Sequence, residues 1–317
     1  MFSDIGSFYA GGIILVSIKI FFSYTIPMSS LAFFLILFSG LMHALYNLLI
    51  KQSRNKTVFI WWMFVSSTVL FTATLPFLPG PFPRPDFVVI FLGTGGAFCF
   101  VIYHLFTGRA YRSGDLSVTY PLSQTGMLYL PLWGVWLLGE RLTMIGFCGI
   151  MTVAMGAWLV QLQRISVAEL LRPFGSLVDQ SVQAALAAGF VYSLGAIIDK
   201  SGVSSYSPLY FTYILVVAML ALMTVNLLRP CHRTKVIAEW RENHRLILAG
   251  GPLMMGSFLS FRYGLALSPM SYAVPVRQVS VLAGVLIGVL FLGEACGRVR
   301  IFAALLIIVG VCLIRFG

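Results

Sequence analysis

Acidic residues are scarce in this chain. There are ten Asp and Glu among 317 residues, and all charged side chains together make up 10%. A soluble domain needs about 25% charged residues to cover its exterior, so a water-facing enzyme or nucleic-acid-binding module is excluded. Cysteine pairing is also missing: Cys99, Cys148, Cys231, Cys296 and Cys312 form no C-x-x-C and no repeated spacing. They imply neither a disulfide framework nor a zinc site and read as small buried apolar residues. A phosphate-binding loop is absent too. The G-T-G-G at 93–96 lies in an apolar run and lacks the Lys and Ser/Thr of that motif, so direct nucleotide-driven work is not expected.

What remains is 59% hydrophobic, arranged in long runs. A bilayer core of about 30 Å takes about 20 apolar residues as helix, because backbone polar groups cannot be left unpaired in lipid. Runs of that length occur at 30–50, 57–79, 86–108, 116–138, 143–163, 180–198, 206–228, 245–267, 271–292 and 299–316. The expected fold is therefore an all-α integral membrane protein with ten core spans. The connectors at 164–179 and 229–244 read as loops. A further apolar stretch at 8–24 is interrupted by Lys19; residues 1–28 are an extra helix, a retained signal-like anchor, or translated sequence ahead of a start at Met28.

The chain repeats itself. Adding 154 carries Ser117 onto Ser271, Pro121 onto Pro275, Gln124 onto Gln278 and Leu138-Gly139-Glu140 onto Leu292-Gly293-Glu294. A shift of 149 carries Gly40 onto Gly189 and Lys51 onto Lys200. The expected organisation is a five-span unit over 29–163, a linker over 164–179 and a second five-span unit over 180–317. Because five is odd, the copies enter the membrane from opposite sides, and such inverted repeats are the architecture of alternating access.

Two five-span halves, each carrying Leu-Gly-Glu ahead of a closing glycine-bearing span, resemble the EamA-type halves of the drug/metabolite transporter superfamily. The likeness covers about residues 29–317, and His43-Ala44-Leu45-Tyr46-Asn47 with Lys51 is similar to the first helix of some bacterial members. The resemblance implies a multi-pass inner-membrane exporter or exchanger of small metabolites in a bacterium, and it fixes no substrate. A flippase for lipid-linked head groups is the alternative. A membrane-embedded transferase would need a compact set of His, Asp or Glu near one interface, and none stands out; no cofactor is implied. The expected partners are a small molecule and the bilayer, with no nucleic acid and either a monomer or a homodimer.

The net charge of +11 is uneven. The odd-numbered connectors hold fourteen cations, from Lys51 and Arg54 to Arg298 and Arg300, and the other side four, Arg84, Arg141, Lys200 and Arg315. The positive-inside rule places the odd connectors in the cytoplasm and both ends of the core, Met28 and Gly317, outside.

Charged groups within spans are functional candidates. Arg262 and Arg277 flank the turn at Ser268-Pro269, and an arginine fork suits carboxylate or phosphate. Gln124 and Gln278 share a helical face with Pro121 and Pro275, whose missing N–H bends the helix where a path widens. His43, Asn47, Tyr103, Tyr120 and Tyr263 are further candidates for substrate contact, and His43 and His104 for proton relay. Glu140 and Glu294 stand at the end of one span and just before the next, where a carboxylate caps the following helix. Asp199 and Lys200 read as an adjacent interfacial pair.

Overall fold

The computed structural model describes residues 28–78, 82–113, 116–160, 162, 166–168, 177–227, 230–292 and 297–317. The apolar segment at 8–24, Glu294 and most of the 164–179 linker lie outside them. The elements among these residues are α-helices joined by short connectors, with one 3-10 turn at Leu75–Phe77: α1 (Ser30–Gln52), α2 (Lys56–Thr74), α3 (Phe87–Ser113), α4 (Leu116–Ser123), α5 (Gly126–Leu138), α6 (Met144–Leu159), α7 (Gln180–Ser205), α8 (Pro208–Leu227), α9 (Pro230–Ala266), α10 (Met270–Arg277), α11 (Val279–Leu292) and α12 (Arg298–Phe316). Six stretches among the described residues are long and apolar enough to cross a membrane.

Helix starts follow capping chemistry. Ser29, Asn55 and Thr143 each accept a hydrogen bond from an amide three residues on, satisfying a donor the helix itself cannot. Asp179 does the same for α7 through Ser181, whose amide and hydroxyl hold the carboxyl below its ordinary range.

Three segments differ from the pattern read in the sequence. The connector 229–244 is not a loop: from Pro230 it is helix, continuous with α9 across a kink at Asn243 (φ −123°, ψ 17°). Glu239 tethers it by accepting from the Asn55 amide at 2.8 Å, and the Trp62 indole donates to the Val236 carbonyl at 3.0 Å. The fourth and ninth spans are each broken. α4 stops at Ser123 and α10 at Arg277, two residues beyond Pro121 and Pro275 respectively. Across both breaks the backbone bonds tighten to i→i−3, with the Thr125 amide on Leu122 and the Gln278 amide on Pro275.

The halves meet through contacts that come in exchanged pairs. A methyl on Gly40 would meet the Arg277 carbonyl at 3.2 Å and the Ser280 amide at 3.3 Å; one on Gly189 would meet the Ser123 carbonyl at 3.1 Å and the Gly126 amide at 3.0 Å. The second set is the first carried through the two shifts. The closing helices α6 and α12 cross with Gly149 on the Gly310 backbone and Gly156 on Ala303, again a pair that exchanges. α1 packs along α9, and its counterpart α7 along α3.

Large apolar side chains such as Phe34, Phe91, Trp136 and Leu305 stay exposed on the outer surface, while Ser39, Ser193, Ser257 and Asp199 are buried. A water-soluble protein sorts its residues the other way; a lipid-facing bundle requires this one. Cys148 and Cys312 belong to the outer set, exposed rather than buried as their apolar context suggests, because one face of every peripheral helix meets lipid.

Candidate functional site

A cavity of about 590 Å³ lies between the halves. α1 and α9 run antiparallel, since Ser39 is hydrogen-bonded to Ser257 and Gly264 rests on Ile36 and Ala32. Arg262 is therefore level with the first turns of α1. Lys51, which also lines the cavity, is at that helix's far end, about 20 Å away at 1.5 Å per residue.

The deep end is held shut by ties between elements distant in sequence. Lys200 donates from Nζ to the carbonyls of Leu265 (2.8 Å) and Ser268 (2.9 Å), so it serves α9 and its turn and is not the partner of Asp199. The Glu140 carboxylate accepts from the amides of Met270 and Ser271 and from the Ser271 hydroxyl. Glu140 is thus a cap, but for α10 in the other half. The following helix, α6, is capped by Thr143, whose amide donates to the buried Tyr272 hydroxyl at 2.9 Å.

Above this seal the breaks after Pro121 and Pro275 face one another. Gln278 donates from Nε2 to Oε1 of Gln124 at 3.2 Å, a contact between two positions exactly one repeat apart in sequence. Arg277, the last residue of α10 and the one before Gln278, places its guanidinium 4.3 Å from the centre of the Phe261 ring. It donates from Nη2 to the Ser257 hydroxyl at 3.3 Å, and its buried Nε has no partner.

Asp199, outside the sequence-derived candidates, is buried at 2% exposure and accepts from Nε of Arg262 at 2.9 Å. The signal available was its place: an acid late in an apolar span. Adjacent residues on a helix point about 100° apart, so Lys200 could not have been its partner. Among the described lining residues the cations are Lys51, Arg262 and Arg277, and the one acid, Asp199, is paired with Arg262.

Much of the remaining polar lining is aromatic. Tyr103 stacks obliquely between His104 and Tyr192, ring centres 5.1 and 5.3 Å away, and the Tyr46 hydroxyl bonds Nδ1 of His43. His43, Asn47, Tyr103, His104, Gln124, Arg262, Arg277 and Gln278 all line the space. Tyr263 does not: one step round α9 from Arg262, it is 37% exposed on the bundle's exterior. The side chains of Tyr120 and Pro121 lie outside the described residues, while Pro275 is buried within α10.

The family model described as EamA-like transporter family matches this chain twice, over residues 30–162 and 180–316. A solved structure titled only "Crystal structure of protein" is 19% identical, with 90% of this chain and 95% of that one covered and a TM-score of 0.66, a likeness in fold. No curated protein matches.

Proposed function

Because this chain belongs to the EamA-like transporter family, we propose that it is a secondary transporter of a small anionic or zwitterionic metabolite, working by alternating access between two inverted five-span repeats. The observation that carries the anionic reading is Arg277, an arginine in the cavity wall with no salt bridge to an acid among the described residues and a buried Nε left unpaired. A guanidinium desolvated in this way is poised for a bidentate carboxylate or phosphate. Gln124 and Gln278 offer amide donors and acceptors beside it, and the Tyr103–Tyr192 pair offers ring faces. His43 and Asn47 stand nearer the mouth.

The inverted-repeat reading is supported by the exchanged contacts of Gly40 with Gly189 and of Gly149 with Gly156, and by the self-paired glutamines, which sit where an axis relating the halves would pass. The units 29–163 and 180–317 are then the moving bodies, and export or exchange is the expected direction.

The test is uptake and efflux of labelled monocarboxylates, dicarboxylates, phosphorylated compounds and amino acids in proteoliposomes. Arg277→Gln should weaken transport of the accepted anion about ten- to a hundredfold, the value of one charge-assisted contact, with Tyr263→Phe unchanged. Undiminished anion transport by Arg277→Gln would overturn the reading.

A further inference from the structure

The Asp199–Arg262 pair breaks the repeat. Taking 149 from Asp199 gives Ile50, and taking 154 from Arg262 gives Gly108. The second shift holds for these helices: Gly264 maps onto Ala110, and Ala110 clusters with Ala185, the counterpart of Ile36, just as Gly264 rests on Ile36. Residues that tie the bundle together do have partners in the other half, as Gly40 has Gly189 and Lys51 has Lys200. An ion pair whose purpose was to seal one end of an alternating machine would need a counterpart at the other end. This pair has none, and it lies in the cavity wall.

We infer that Asp199 is the proton-carrying group of this transporter, its protonation releasing Arg262 to the substrate anion. The inference rests on the proposed anion transport. In the resting cavity Arg262 is neutralised by Asp199, both side chains being 4% exposed. Removing either partner from such a pair strands a buried charge and is strongly unfavourable, so a proton on Asp199 is tolerated only when another anion takes its place. One proton from solution goes to a carboxylate oxygen of Asp199, the bond from Arg262 Nε is given up, and the substrate's oxygen accepts it instead. Charge in the cavity is conserved for a monoanion, and proton and anion favour each other's binding by the same factor. They therefore travel together, in the direction set by the sum of their two gradients, which is outward when the substrate gradient is the larger.

The groups facing Asp199 leave this role to it. Arg262 comes from α9 and Arg277 from α10, both cations. On α7 itself Tyr192 lines the same space, and Lys200 is committed to the Leu265 and Ser268 carbonyls. α3 contributes Tyr103 and His104, while the lining residues described from α4, α5 and α8 have no titratable group. Asp199 is the one Asp or Glu among the described lining residues. A histidine gaining a proton adds positive charge to the wall but frees no arginine.

The test has two arms on the full-length protein. In proteoliposomes, the labelled carboxylate turned over fastest by the wild type is followed in two ways: accumulation driven by an imposed pH gradient, and counterflow exchange at equal pH. Wild-type affinity should tighten with acidity, by at most about tenfold per pH unit for one coupled proton. Asp199→Asn should abolish gradient-driven accumulation yet retain counterflow, now independent of pH. Since Asp199→Asn leaves Arg262 unpaired, the double variant D199N/R262Q, with no stranded charge, checks the fold by its unfolding midpoint; lacking the arginine offered to the anion, it should lose anion binding together with coupling. The second arm needs no substrate: infrared difference spectra on acidification should show a carboxylic-acid C=O band in the wild type that is missing in Asp199→Asn. Retained gradient-driven accumulation in Asp199→Asn, or an identical acid band in wild type and Asp199→Asn, overturns the inference while leaving anion transport standing. A wild type that moves no anion overturns both readings, and the infrared arm then reports separately whether Asp199 takes up a proton.

Discussion

At the scale of single residues, Glu140 shows how a side chain can be placed correctly in role and wrongly in partner. A glutamate at the close of a span suggests a cap, and it is one, but it serves amides 130 and 131 positions away. Short-range logic assigns the nearest helix start, and Thr143 had already filled that place. Glu140→Gln should therefore act on stability. It keeps the shape, but one acceptor oxygen becomes a donor facing donors, at a cost of about 1–3 kcal/mol, read as a lowered unfolding midpoint in detergent; an unchanged midpoint would show that the ties to Met270 and Ser271 contribute nothing. Asp199 and Tyr263 follow the same rule. Periodicity tells which residues share a face of a helix, so Arg262 and Tyr263 are certain to diverge. Which face looks inward is decided by helices whose mutual placement a single sequence does not encode.

At the scale of elements, six of the ten expected spans were legible as single long apolar helices among the described residues, because lipid imposes a length and a composition on each. The repeat was legible as well, and through it the paired prolines. The breaks were less so. Proline weakens a helix through its missing donor and its ring, but a helix stops only if something accepts the interrupted backbone, and here that is a glycine of the opposite half. Gly40 admits the backbone at Arg277–Ser280 and Gly189 the backbone at Ser123–Gly126. The kinked helix over 230–244 was hidden for the opposite reason: its charges read as a connector, and its anchorage to Trp62 and Asn55 is tertiary. Small residues set the spacing elsewhere too. A methyl on Gly149 would stand 2.8 Å from the Gly310 carbonyl, and one on Gly310 2.7 Å from the Gly149 carbonyl. Backbone cannot step aside as a side chain can, so Gly149→Ala and Gly310→Ala should each cost about 1–3 kcal/mol. The double variant should cost less than their sum, because once the helices have parted for one methyl the second finds room. Strict additivity in thermal unfolding would mean that the two backbones do not touch.

For the whole molecule, the cavity and the charge distribution make one claim together. The open reach of the cavity carries Asn47 and Lys51, next to the connector with Arg54 and Lys56, on the cation-rich side that the positive-inside rule assigns to the cytoplasm. The tied end carries Leu265, 1% exposed beneath the Lys200 and Glu140 contacts. In a cysteine-free background, Asn47→Cys should accordingly react with a membrane-impermeant maleimide applied from the cation-rich side and stay protected from the other. Leu265→Cys should be silent from both sides while the protein rests in this state. If the halves exchange conformations, the ties at Lys200 must open during turnover, and Leu265→Cys then becomes reactive from the cation-poor side once substrate is present. Labelling of Leu265→Cys that never rises above its resting level during measured transport would mean that this end does not open, and that the substrate leaves by the way it came.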